Sequence, residues 1–171
     1  MTYAIRPARA DDLERLRTIE YRAAALFRLV GLDDIADGEP SDPHFLRAVL
    51  RHGRIAVAVD AADQPVGLAL AGILDDALHL YELSVDPHHG RRGLGRQLVT
   101  SIEAHAIECG LPALTLSTFR HVPWNGPFYA RLGFAEVARA DWTPAFHLLH
   151  ARERDMSLPV EQRMFMRKAL G

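Results

Sequence analysis

Cysteine occurs once in this 171-residue chain, as Cys109. A single thiol closes no internal disulfide, so a disulfide-stapled secreted scaffold is excluded and a reducing cytoplasm is the expected setting. At the end of an apolar helical repeat, Cys109 is predicted to be a buried helix residue. No partner histidine marks it as a catalytic thiol. Long apolar runs are missing as well. The longest, with glycine allowed, is Val66 to Leu74, well short of the roughly 20 residues of a membrane span. No apolar segment follows the opening Met-Thr-Tyr-Ala-Ile-Arg-Pro-Ala-Arg, so no secretory leader is expected there. Neither sign of charge prevails: 20 basic against 22 acidic residues leave a net charge of −2. That balance gives no overall attraction for nucleic acid or an anionic membrane, and neither is expected as a partner. Spaced sets of metal ligands are also lacking. His88-His89 and the pair His147 and His150 have no supporting Cys, His or carboxylate, so no metal is expected. There is no repeat, low-complexity tract or linker, and the length suits a single domain over residues 1–171.

The chain is organised around the stretch from Leu80 to Phe134, centred on Val85-Asp86-Pro87-His88-His89-Gly90-Arg91-Arg92-Gly93-Leu94-Gly95-Arg96. The run Leu78 to Val85 before it is apolar and β-prone. After it, Leu94, Leu98, Ile102, Ala106 and Cys109 recur at helical spacing, with Gly110 as a stop signal. The reading is strand, glycine-rich turn, helix. Such a turn aims backbone N–H groups outward, and the helix start adds partial positive charge, so the element suits an anion, typically a phosphate. Arg91, Arg92 and Arg96 add fixed charge at the same place, although a solvated turn would also carry them.

Elsewhere, Thr2 to Arg6 reads as a first strand. Asp11-Asp12 offers an N-cap to a helix carrying Leu13, Leu16, Ile19 and Ala23, continuing or restarting through Leu26, Phe27 and Val30. Gly31 to Pro43 reads as an acidic loop with Asp33, Asp34, Asp37 and Glu39. A short helix follows around Phe45, Val49 and Leu50, ending near Gly53. Ile55 to Val59 and Val66 to Leu74 are apolar strands joined by a turn-rich link. Ala113 to Thr118 reads as a fifth strand, then come a helix around Phe128 ended by Gly133 and a sixth strand from Phe134 to Ala138. Arg139 to Pro159 has no clear pattern, and Met164-Phe165-Met166 suggests a closing strand.

Two phosphate-binding templates fail. A dinucleotide fingerprint counted from Gly93 and Gly95 puts Leu98 where a small residue is needed. A P-loop counted from Gly90 to Gly95 is followed by Arg96 and Gln97 where Lys and a hydroxyl belong. The turn instead resembles that of the GNAT superfamily of acetyl-CoA-dependent N-acetyltransferases: Gln or Arg, two residues, Gly, one residue, Gly or Ala. Arg91-Arg92-Gly93-Leu94-Gly95 fills the last five positions. Gly90 stands where Gln or Arg is usual, which removes one side chain and leaves the backbone cradle intact. About thirty residues later, Trp124-Asn125-Gly126-Pro127-Phe128-Tyr129-Ala130-Arg131-Leu132-Gly133-Phe134 is similar to the family's Asn and Tyr-x-x-Leu-Gly-Phe segment.

The resemblance implies an α/β (α+β) GNAT-like fold over almost the entire chain. Its mostly antiparallel mixed sheet of six to seven strands, flanked by helices, splays between the fourth and fifth. It also implies acetyl-CoA as cosubstrate. The pantetheine arm would run along the main chain of Leu83, Ser84 and Val85, the diphosphate would lie at Gly90, Arg91, Arg92, Gly93, Leu94, Gly95 and Arg96, and Asn125, Phe128 and Tyr129 would lie near the cofactor arm. Phe128, like Trp124, also reads as a wall or core residue. Asn125 has a second reading as a helix N-cap.

The chemistry sets two demands. An alkyl amine with a pKa near 10.4 is only about 0.04% neutral at pH 7, a penalty of roughly 4.6 kcal/mol without a base or proton wire. The departing thiolate, with a pKa of about 8.5, benefits from a proton donor. Tyr129 matches the family's tyrosine and is the candidate acid; the alternative is simple packing beside Leu132. Glu82 interrupts an apolar strand and is the candidate base or substrate anchor, the alternative being a solvent-facing carboxylate. Glu20, Tyr21 and the acidic loop could attract a cationic acceptor, although a solvated acidic loop is the better account of the acids. The acceptor is expected to be an amine on a small molecule or peptide, and the assembly a monomer or homodimer. A noncatalytic acyl-CoA-binding module is the rival function.

Overall fold

The computed structural model describes residues 2–171 and divides them into two compact units. The first takes the chain to Gly72 and resumes over Leu80–His105; the second comprises Ile73–His79 and Ala106–Gly171. Seven strands form a mixed sheet in the order β1-β2-β3-β4-β5-β7-β6, with helices flanking it.

In the first unit, β1 (Ala4–Pro7) pairs antiparallel with β2 (Arg54–Val59), which pairs antiparallel with β3 (Pro65–Leu74). The apolar run read from the sequence as a strand is β3, and its residues 65–72 are all buried. Ile55, Val57 and Val59 alternate along β2 and share a cluster with Leu68 and Leu70 of β3. The cluster is completed by Leu16 and Ile19 of α1 (Leu13–Ala24) and by Leu46 and Val49 of α3 (Pro43–His52). Burying each such side chain contributes about 1.5–3 kcal/mol. α3 starts where Asp42 accepts the His44 and Phe45 N–H groups at 2.7 and 3.1 Å and Pro43 occupies the first turn.

β4 (Ala77–Val85) leads through the glycine-rich turn into α4 (Leu94–Glu108), as the sequence predicts. Leu94, Leu98 and Ile102 form the inward stripe of α4 and are at most 2% exposed. A Cβ built on Gly67 of β3 would meet Leu98 Cδ1 and Ser84 O within 3.3 Å, so the close approach of helix and sheet depends on that glycine.

Several expectations are corrected. Asp12 does not cap α1; its carboxylate accepts the Arg9 N–H at 2.7 Å and pairs with Arg6 at 2.8 Å. The acidic loop contains a helical turn, α2 (Asp33–Ala36), because Ala36 can be buried while Asp33 and Asp34 stay in water. Cys109 is exposed. It lies one residue past the end of α4, beside the left-handed Gly110, and so leaves the inward stripe that ends at Ala106.

In the second unit, β5 (Ala113–Phe119) pairs antiparallel with β7 (Arg163–Ala169) along its whole length. The closing strand is longer than its Met-Phe-Met centre. β6 is shorter than the 134–138 expected: only Ala135–Glu136 pair with β7, because Phe134 turns inward and is 4% exposed. Residues 139–159, without a pattern in the sequence, contain α6 (Pro144–Asp155). Thr143 caps α6 by accepting the Phe146 N–H at 3.2 Å. Phe146, its one buried residue, stacks on Phe165 at 4.3 Å, with Trp142 edge-on to Phe165 at 4.9 Å. His79, also in this unit, is 3% exposed and bonded through Nδ1 to Thr115 Oγ1 at 2.9 Å; burial pushes its pKa down to about 4.

Gly126 opens α5 (Gly126–Ala130) under tight constraint. A Cβ there would lie 2.5 Å from Arg120 O and 2.6 Å from Met164 Cε. Gly126→Ala is therefore expected to cost about 3 kcal/mol through forced backbone movement, read as a lower urea midpoint at unchanged m-value.

Candidate acyl-donor and acceptor site

The turn after β4 is built on Asp86. Its main-chain N–H bonds Val66 O at 2.9 Å, and its carboxylate accepts the His88 N–H at 3.1 Å at the start of a 3-10 turn, Pro87–His89. Although only 1% exposed, that carboxylate also pairs with Arg22 at 3.0 Å, with Arg15 at 3.9 Å. Burial alone would raise its pKa, but the His88 N–H and the Arg22 guanidinium hold it below the usual carboxylate range. The side of the turn is pinned by Tyr3, whose hydroxyl meets His89 Nδ1 at 3.0 Å. Sequence reasoning passed over Asp86 and Arg22 as site residues. The Asp-Pro pair before the turn was the available signal, since Asx side chains bond main-chain N–H groups two residues on.

Beyond Gly90 the chain passes through Arg91 at φ +57° and Gly93 at φ +76° before α4 begins. Left-handed backbone is ordinary for glycine and costs of order 1–3 kcal/mol for arginine, strain that such sites concentrate. Gly90 itself has φ −63°, so no left-handed geometry demands a glycine there. A Cβ on Gly93 would come no closer to another residue than 4.0 Å, at Gln97 Nε2, leaving its outer face open. Gln97 N–H to Gly93 O, at 3.1 Å, is the first intrahelical bond, so the N–H groups of Leu94, Gly95 and Arg96 precede any helical acceptor. Leu94 is 2% exposed and anchors the helix start, whereas Arg91, Arg92 and Arg96 are exposed. Main-chain donors, the helix dipole and three guanidinium groups give this corner the chemistry that suits an anion.

The same unit holds the predicted acids. Ser84 Oγ donates to Glu82 Oε1 at 2.7 Å; the two residues share a face of β4, with Leu83 and Val85 on the other. Glu20 is 7% exposed and accepts the Ser41 N–H at Oε2, 2.6 Å. Burial, and next the negative charge of Glu82, push its pKa up to about 7 against the Ser41 N–H and hydroxyl and Arg17. Tyr21 is not brought to Glu20. One step round the helix, it is 57% exposed and lines a separate cavity of about 390 Å³ with Arg22, Ala25, Arg28, Asp86, Pro87 and His88. Asp33, Asp34, Asp37 and Glu39 are all exposed.

In the second unit, the Asn125 side chain does not cap α5. Asn125 stands at the N-cap position, its main-chain O accepting the Tyr129 N–H at 3.0 Å, while its side chain donates to Trp124 O at 3.2 Å. Tyr129 is 7% exposed, with edge contacts to Phe128 at 5.1 Å and Phe134 at 5.7 Å; Phe128 is half-buried. Among the described residues, no group of three or more His, Cys, Asp or Glu is placed to hold a metal ion. His147 and His150 instead flank the Trp142 ring at 5.4 and 5.1 Å. No helix of the described residues is long and apolar enough to cross a membrane.

The profile of the acetyltransferase (GNAT) family matches residues 13–134, well over half of the chain. The chain belongs to the GNAT acetyltransferase family. Solved structures of similar fold include a GNAT-family acetyltransferase from Staphylococcus aureus Mu50, 19% identical, TM-score 0.73, with 99% of this chain and 100% of that one covered. The PaiA N-acetyltransferase from Thermoplasma acidophilum, in complex with coenzyme A, is 17% identical at TM-score 0.72, covering 99% and 100%. The ribosomal-protein-S18-alanine N-acetyltransferase from Escherichia coli is 18% identical at TM-score 0.69, covering 99% and 95%. At such identities the likeness to these GNAT proteins is one of fold.

Proposed function

We propose that this GNAT protein moves an acetyl group from acetyl-CoA directly to a primary amine of a small molecule or peptide. The observation that carries this reading is the start of α4, with the N–H groups of Leu94, Gly95 and Arg96 ahead of the first helical acceptor and Arg91, Arg92 and Arg96 beside them. A diphosphate suits that charge and donor set. The coenzyme A held by the Thermoplasma relative and the alanine acetylation named for the Escherichia coli relative support the same direction.

In this reading the main chain of Leu83 to Val85 bonds the pantetheine amides, and Gly90 to Arg96 hold the diphosphate. Asn125 and Phe128 contact the cofactor arm. Glu82 takes the amine proton, directly or through water, and Tyr129 donates a proton to the departing thiolate. The acetyl carbon exchanges its sulfur bond for a nitrogen bond with no acyl-enzyme. A cytoplasmic setting belongs to this proposal, and the exposed Cys109 thiol suits a reducing compartment.

Acetyl-CoA turnover across a panel of alkylamines, amino acid amides and peptides tests the proposal. Amine-dependent CoA release is expected. Tight CoA binding without release over any amine would instead establish an acyl-CoA-binding module.

A further inference from the structure

Glu20 sits one helical turn after Leu16 and next to Ile19, both fully buried, and so carries a carboxylate into the inward face of α1. Its Oε2 accepts the Ser41 N–H at 2.6 Å, while none of the described residues donates to the buried Oε1. A buried acceptor without a donor costs about 1–3 kcal/mol, and such groups in native structures call for a reason. Among the described residues no cation pairs with it: Arg17, a basic group acting on Glu20, directs its Nε to Ser41 O at 3.0 Å. From β4, Glu82 adds a second negative charge, its own Oε1 oriented by Ser84 Oγ.

We propose that Glu20, assisted by Glu82, is the receptor for the acceptor's ammonium group, so that the protein selects alkylammonium compounds over neutral aromatic amines. This rests on the acetyltransferase reading and specifies its acceptor. An ammonium has three N–H donors and no acceptor, which matches an orphaned carboxylate oxygen. Arriving as a cation, it also relieves the repulsion between the two acids.

Because burial and Glu82 bring the Glu20 pKa up to about 7, the site holds part of a proton at neutral pH, and a cation must displace it. The groups acting on that equilibrium are Glu82 from β4, Arg17 from α1, and the Ser41 N–H and hydroxyl from the segment before α3.

The test is calorimetric titration of the full chain, with and without CoA, using n-butylamine, 1,4-diaminobutane and aniline at pH 7 in phosphate and in Tris. The two buffers differ in ionisation enthalpy, so their difference counts protons. For the alkylamines, net proton release on binding is expected, because burial and the charge of Glu82 leave Glu20 partly protonated at pH 7. Aniline should bind at least about tenfold more weakly. Glu20→Gln keeps an acceptor for the Ser41 N–H and should weaken alkylamine binding about tenfold or more while abolishing proton release. Glu82→Gln removes the repulsion that raises the Glu20 pKa, so proton release at pH 7 should fall, and it decides the matter if Glu20→Gln does not fold. Absence of alkylamine binding, proton-neutral binding, aniline binding as tightly as butylamine, or unchanged behaviour in the variants would each overturn the proposal. Alkylamine binding with proton release but no acetyl-CoA turnover would uphold the receptor and sink the enzyme reading alone.

Discussion

Tyr129→Phe is expected to lower kcat for acetyl transfer about 100-fold while changing the Kd for CoA by less than about twofold. The substitution deletes one hydroxyl and keeps the ring. That ring is 7% exposed and held edge-on by Phe128 and Phe134, so its packing survives. What is lost is a phenol hydroxyl able to donate to a departing thiolate. General acid catalysis contributes about 10²–10⁴-fold, and the lower end applies because an alkyl thiolate with a pKa near 8.5 is already a fair leaving group. CoA release at saturating acetyl-CoA and amine gives kcat, and fluorescence titration gives the Kd. An unchanged kcat would leave Tyr129 as a packing residue and remove it from the proton path.

The second large effect is expected from Arg22→Met. It leaves the Asp86 carboxylate 1% exposed with the His88 N–H and a 3.9 Å contact to Arg15 as its remaining support. Breaking a fully buried ion pair costs roughly 3–5 kcal/mol. Arg22 is 47% exposed and Arg15 compensates in part, so about 2 kcal/mol is the appropriate figure. The pH dependence separates this cause from lost packing. In the wild type the Asp86 pKa is depressed, so its stabilisation is present above the unfolded carboxylate range and is lost as pH falls through the folded value. Without Arg22 the folded pKa rises, the acid is protonated more easily, and the penalty should shrink as pH falls from 7 toward 4. Urea melts at several pH values would show it; a pH-independent loss would assign the effect to the missing aliphatic stem. Because Asp86 organises the turn into the proposed anion-binding corner, the KM for acetyl-CoA should rise in the same variant.

Local signals carried much of the fold. Strand, turn and helix from β4 to α4 were legible because alternation, glycine punctuation and the 3.6-residue repeat act within a few residues of one another. β3 was legible for the same reason, as a continuous apolar run. α6 was not: with Phe146 as its single buried residue it has no apolar stripe, and its start rests on the Thr143 cap followed by proline. Glu20, Tyr21 and the acidic loop looked alike as a cation-attracting set, yet only the fold distinguishes a buried carboxylate from an exposed ring and exposed acids.

From sequence alone follow the family, the strand-turn-helix element with its glycine-rich turn and the position of the second motif, since these depend on residue types at fixed short spacings and on backbone sterics. Tertiary structure decided which charges matter. Asp86 meets Arg22 across 64 positions and Glu20 meets Ser41 across 21; the desolvation that raises Glu20, and the Arg22 ion pair that adds to the local His88 N–H in lowering Asp86, exist only once distant segments pack together.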